Sequence, residues 1–114
     1  MTTSRSDTLV LFGVTGDLAH KMIFPALYAM VKSDVLEVPV IGVAFPKWGL
    51  ERLHRRVTDS IKRSGGFDDK RALHRLLSLF RYVSGDYKDP RTFSAIKKEL
   101  GKARWPAHYL AIPP

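Results

Sequence analysis

Seven residues, Gly13-Val-Thr-Gly-Asp-Leu-Ala19, stand directly behind the apolar run Thr8-Leu-Val-Leu-Phe12. Two glycines three apart, then an acidic residue and an apolar face at helical spacing, suit a strand–turn–helix unit. Such a unit brings bare backbone N–H groups and the positive end of a helix dipole up to an anion. Gly13 permits the tight turn and Gly16 permits close approach of backbone to a diphosphate. Ala19 is the small residue at which helix packs on strand. The pattern is Gly-x-x-Gly-x-x-Ala rather than Gly-x-Gly-x-x-Gly, and the same residues also fit an ordinary strand-to-helix turn capped by Asp17. A carboxylate at a helix start is electrostatically comfortable but competes with phosphate for the same donors, so Asp17 has to point away from the anion.

The rest of the composition narrows the chemistry. The chain has 114 residues, 45% of them hydrophobic, which is enough for one domain with a real core. The absence of cysteine excludes a disulfide framework and thiolate metal sites, and fits a reducing cytoplasm. A net charge of +8 favours anionic partners: nucleotide phosphates, nucleic acid or acidic lipid. Arg52, Arg55, Arg56, Lys62 and Arg63 fall on one helix and allow a nucleic-acid-binding module. No recognised motif or stacking platform of aromatics accompanies them, so a solvated basic face is the better reading. The opening "MTTSRSD" is polar and is expected to form a disordered tail over residues 1–7 rather than a signal peptide. No apolar stretch approaches the roughly 18 residues of a membrane span.

The elements that must position the glycine turn are legible in the periodicity. "TLVLF" (8–12) reads as a strand buried on both faces. Ala19, Met22, Ile23, Ala26, Leu27 and Met30 then mark one face of a helix running to about Lys32. Pro25 should kink or break it, because its ring removes a backbone hydrogen bond. "VPVIGVA" (38–44) is a second strand, weakened at its end by Gly42. Residues 49–63 repeat Leu50, Leu53, Val57 and Ile61 on a helix stopped by "SGG". Residues 68–80 form a further helix with an Asp cap, sending Leu73, Leu76, Leu77 and Phe80 inward. "RYVSGD" (81–86) is the third strand. Residues 89–101 are a helix with Asp89 as N-cap, Pro90 at N1 and Gly101 as stop. "HYLAI" (108–112) is the fourth strand. Strands alternating with helices imply an α/β fold, a Rossmann-like doubly wound parallel sheet in which residues 8–114 form the N-terminal part of a dinucleotide-binding domain.

"FGVTGDLAHKMIFPALY" resembles the N-terminal signature of the glucose-6-phosphate dehydrogenase family, Gly-x-[ST]-Gly-Asp-Leu-Ala followed by often basic residues, two apolar residues and Pro. "IGVA" (41–44) is similar to that family's second strand, and "HYLAIPP" to its Tyr-Leu-Ala-x-Pro-Pro strand and turn. The resemblance implies an oxidoreductase of the pentose phosphate pathway, moving a hydride from C1 of glucose 6-phosphate to NADP and giving the 6-phosphogluconolactone. It implies cofactor contacts from Gly13, Thr15, Gly16, Asp17 and Leu18 at the turn, from Asp86 and Tyr87 after the third strand, and from Tyr109 on the fourth. It also implies a cytoplasmic enzyme, homo-oligomeric at full length, with glucose 6-phosphate bound only by the whole protein.

Two positions depart from the family pattern. Phe45 stands where the family commonly has an arginine for the 2′-phosphate of NADP. Lys47, two residues on, is the nearby cation left to answer that charge, without a guanidinium's fork. NADP is the expected cofactor, with NAD possible. Met22 stands where the family has a lysine reaching substrate, and as part of the apolar face it reads as core. Lys21 points about 100° away on an ideal helix, and His20 reads as a solvated surface residue. His108-Tyr109-Leu110 echoes the family's base motif, but no acid precedes it and Ile-Pro-Pro follows, so His108 reads as a strand histidine. These 114 residues are therefore expected to hold no catalytic base, no sugar site and no metal, and to be inactive alone. A remnant of the family that binds no cofactor is the alternative.

Overall fold

The computed structural model describes residues 7–66, 68–86 and 88–101, together with the backbone of a strand at 106–110. The expected tail falls almost wholly outside these residues, as does Tyr87. Four five-residue strands, β1 (Thr8–Phe12), β2 (Val40–Ala44), β3 (Phe80–Ser84) and β4 (Pro106–Leu110), form one sheet in the order β3-β2-β1-β4. All three pairings are parallel, with Leu9 opposite Val40, Val40 opposite Phe80, and Thr8 opposite Pro106. The strand order reverses at β1, because the chain moves outward to β3 and then returns to the other side of β1 for β4. In open α/β sheets that reversal is where ligands bind, beyond the carboxyl ends of the strands.

Helices α1 (Phe24–Lys32), α2 (Leu50–Arg63) and α3 (Lys70–Leu79) cover one face of the sheet, and α4 (Pro90–Leu100) covers the other. The period-two alternation of the strands divides the core accordingly. Leu11, Val40, Ala44 and Phe80 meet α1–α3, while Val10, Phe12, Ile41, Val43 and Val83 meet Ile96 of α4. Phe24 and Phe80 are both fully buried and pack edge to face, with ring centroids 5.8 Å apart. Burying each such side chain contributes about 1.5–3 kcal/mol.

The first helix corrects the apolar face read from the sequence. Helical backbone runs unbroken from Asp17 to Lys32, but Ala19–Ile23 is a π-helical turn, and Phe24 N–H bonds to the Ala19 carbonyl five residues back. The wider turn inserts one residue into the helical phase, so the buried face after Ala19 continues with Phe24, Leu27, Tyr28 and Val31. Met22 is 62% exposed and Met30 38%, so neither is core. Pro25 sits in the first turn of α1, where a missing N–H costs little, and the irregularity just upstream of it is the π turn rather than a break. The π register leaves the His20 carbonyl without its usual helical donor, and the Ser60 hydroxyl of α2 donates to it instead.

Smaller differences have local causes. Leu50, in the first turn of α2, is 40% exposed rather than core. Phe80 opens β3 instead of closing α3, keeping its inward direction. The fourth strand begins at Pro106, two residues early, which an edge strand tolerates at its first position. The capping expected for α3 and α4 is present: Asp69 accepts from Ala72 N–H and Asp89 from Arg91 N–H, while Gly101 leaves α4 at φ 56°. Gly42 lies inside β2 rather than at its end, and Val14 occupies the space a side chain there would need.

Candidate functional site at the strand ends

The glycine turn leaves β1 and enters helix within four residues. Gly13 takes φ 79°, a conformation glycine adopts at little cost, and its N–H bonds to Val43 O at 2.8 Å. Val14, fully buried, tucks under the loop, while Gly16 N–H closes a turn on Gly13 O at 3.0 Å. His20 N–H bonds to Gly16 O at 3.2 Å, so the helix starts at Asp17, and the N–H groups of Asp17 and Leu18 belong to its open first turn. Thr15 is half-buried; Asp17 and Leu18 are exposed. The Asp17 carboxylate stands 3.8 Å from the Arg56 guanidinium, drawn sideways toward α2.

Beyond β2 and β3 the surface opens into a pocket of about 460 Å³ lined by Phe45, Pro46, Lys47, Ser84, Gly85 and Asp86. Two of the residues expected to meet cofactor, Lys47 and Asp86, are thus brought together with Phe45, which is 71% exposed. Neighbouring strand residues fix the rim: Tyr82 donates to Pro46 O, and Ser84 to Phe45 O at 3.2 Å. Asp86 accepts from Lys88 N–H at 2.9 Å, and its carbonyl accepts from Thr92 Oγ1 at 2.7 Å. Gly85 has no room for a side chain, because Thr92 fills the space where a Cβ would project. Tyr109 pairs through its backbone with Leu11 on the other side of β1. Its side chain, like that of His108, lies outside the described residues.

The composition-level reading missed what α2 contributes. Arg56 donates to Gly16 O at 3.4 Å, so the basic helix face touches the glycine turn itself. The guanidinium carbons of Arg52 and Arg56 lie 4.6 and 5.9 Å from the Trp48 ring centroid, an aromatic platform beside the turn. The four-residue step from Trp48 to Arg52 at the start of a helix was the available signal. His20 is also not simply solvated. Its Nε2 lies 2.9 Å from Asp59, and Arg63 reaches the same carboxylate at 3.0 Å. The His20 hydrogen bond, with Arg63 behind it, holds the Asp59 carboxyl below the usual carboxylate range.

Among the described residues no group of three His, Asp or Glu side chains is placed to hold a metal ion, and no helix is long and apolar enough to cross a membrane. A parallel sheet in the order 3-2-1-4, with a glycine turn feeding a helix start at the strand-order reversal, defines half of a dinucleotide-binding fold. Residues 10–114 match the family model described as glucose-6-phosphate dehydrogenase, NAD binding domain. The chain belongs to the glucose-6-phosphate dehydrogenase family. It is 38% identical over 109 residues to glucose-6-phosphate 1-dehydrogenase 1 of Mycobacterium tuberculosis, spanning 96% of this chain but 23% of that protein. The crystal structure of glucose-6-phosphate 1-dehydrogenase from Mycobacterium avium superposes with a TM-score of 0.89 at 41% identity, over 96% of this chain and 24% of that one. A glucose-6-phosphate dehydrogenase in complex with its substrate glucose-6-phosphate gives 0.83 at 29% identity, over 96% and 25%. The chain therefore spans about a quarter of the length of the relatives it matches.

Proposed function

We propose that this chain is the NADP-binding portion of a glucose-6-phosphate 1-dehydrogenase, which passes a hydride from C1 of glucose 6-phosphate to NADP. The observation that carries the reading is the open helix turn at Asp17 and Leu18, delivered by Gly13 and Gly16 to the strand-order reversal. In this reading Gly13, Thr15, Gly16, Asp17 and Leu18 hold the pyrophosphate through backbone N–H groups and the helix dipole. Phe45 and Pro46 offer an apolar wall for the adenine. Lys47 and Asp86 line the pocket beyond β2 and β3, and the family reading assigns Tyr87 and Tyr109 to the cofactor as well. The residues present fit a dinucleotide, since the pocket opens at the end of β2, the neighbour of β1, and the glycine turn after β1 is tied to β2 through Gly13 N–H on Val43 O.

The nicotinamide supplies the hydride acceptor, and these 114 residues supply binding and orientation. Met22, at the position where the family pattern implied by the resemblance has a lysine, is exposed and its side chain offers no donor. The sugar phosphate and the base that takes the C1 hydroxyl proton are assigned to parts of the whole enzyme beyond these elements. By the same family reading the enzyme is cytoplasmic and homo-oligomeric. A relative in Arabidopsis thaliana, 29% identical, is named as cytoplasmic.

Titration calorimetry of the chain with NADP tests the proposal. Gly16→Val should abolish binding while helical circular dichroism stays within a few per cent of the parent. Equal affinity in the two forms would remove the phosphate role from this loop.

A further inference from the structure

We propose that the 2′-phosphate of the dinucleotide is read by the arginines of α2, Arg52 first, and not by Lys47; this rests on the dinucleotide reading above. The surface beyond β2 divides into two chemically different halves. The half lined by Phe45, Pro46, Lys47, Ser84, Gly85 and Asp86 sets one ammonium against one exposed carboxylate. Its field on a dianion is close to neutral. The half lined by Trp48, Arg52, Arg55, Arg56 and Asp59 sets three guanidinium groups against one lining carboxylate, which already accepts from His20 and Arg63, with Asp17 standing 3.8 Å from Arg56. A phosphate dianion belongs with the guanidinium groups.

Three further observations place the arginines for this task. The Arg52 guanidinium carbon sits 4.6 Å from the Trp48 ring centroid, a contact that orders the fork before any ligand arrives. Among the described residues no acceptor takes the Arg52 N–H groups. Arg56 ties the cluster to the pyrophosphate loop through Gly16 O, and its buried Nε has no partner among the described residues. A ribose joined to a pyrophosphate on that loop would thus have a guanidinium cluster on its α2 side and an apolar wall, Phe45 and Pro46, on its β3 side. Arg52 is the specificity-determining group. Arg56 is a positioning residue that joins the cluster to the turn.

The test is the ratio of NAD to NADP dissociation constants, measured by calorimetry on the parent, Arg52→Gln and Lys47→Gln at low and moderate salt. Arg52 is exposed, and circular dichroism should not change in its variant. The parent should favour NADP by tenfold or more. Arg52→Gln should reduce the ratio to within threefold of unity with NAD affinity unchanged, and Lys47→Gln should move the ratio by less than threefold. Raising the salt should narrow the parent's ratio and leave that of Arg52→Gln nearly flat. A ratio kept in Arg52→Gln, or lost in Lys47→Gln, overturns the assignment. Equal affinity of the parent for NAD and NADP overturns it while leaving the dinucleotide reading intact. Binding of neither removes both.

Discussion

Gly42 offers the sharpest test of how packing beneath the glycine turn holds it in place. A Cβ at this position would lie 2.9 Å from Val14 Cγ1, 3.0 Å from Cγ2 and 3.1 Å from Cβ. Carbon atoms pack best at about 3.5–4.0 Å, so Gly42→Ala forces a displacement of roughly half an ångström or more. β2 cannot retreat, because β1 and β3 flank it on both sides. Val14 cannot retreat freely either, being fully buried with its N–H on Val43 O. Overpacking of this kind costs about 1–3 kcal/mol, offset by about 0.5–1 kcal/mol from the lost freedom of glycine in the unfolded chain. Gly42→Ala should therefore destabilise by about 1–2 kcal/mol, read from urea midpoints followed by circular dichroism. Val14→Ala should cost about 2 kcal/mol through lost burial and a small cavity. The double variant should cost less than the sum by about 1 kcal/mol, since the new methyl occupies the space that Val14 vacates. Independent sites add to within about 0.5 kcal/mol. Additivity here would refute the argument that Gly42 exists to admit Val14.

Two further changes probe other parts of the scaffold. Ser60→Ala deprives the His20 carbonyl of its donor and should lower stability by about 1–2 kcal/mol in the same assay. Asp68 is held below the usual carboxylate range by a hydrogen bond from Lys32 and then one from Tyr28. Its stabilising contribution is therefore fully present above the unfolded carboxylate value, about 3.9, and is lost as pH falls through the lower folded value. Urea midpoints of Asp68→Asn should lie below the parent's at pH 6 and converge with them in acid, more closely still in high salt; a gap independent of pH would refute the pairing.

What the sequence made legible follows from how local each signal is. The strand at 8–12, the caps Asp69 and Asp89, and the stop at Gly101 depend on side chains acting within a few residues of themselves and stand where periodicity and capping place them, while the second strand, read as 38–44, starts two residues later at Val40. The glycine turn was legible for the same reason. The exposed Met22 was not, because a constant 3.6-residue period cannot register an extra residue in one turn. Nor was Gly42, whose purpose is a valine from another strand's loop. Arg52 and Arg56 read as a solvated basic face until the fold sets Arg56 against Gly16 and Arg52 over Trp48. Their meaning is tertiary.

The π turn sets a distance. Ser60 meets the carbonyl that this turn frees at His20, and Arg56 meets the carbonyl of Gly16; each pair is 40 residues apart in the chain. The partners in each helix are one turn from one another, and the two helices run in the same direction. Ser60 thus acts as the fixed end of a gauge one helical turn long, about 5.4 Å, with Arg56 as its free end. Sliding α2 along its neighbour would carry the guanidinium off the glycine loop by the same amount. The reach of a charge toward the glycine loop is thus metered by an irregularity further along the helix that this loop feeds.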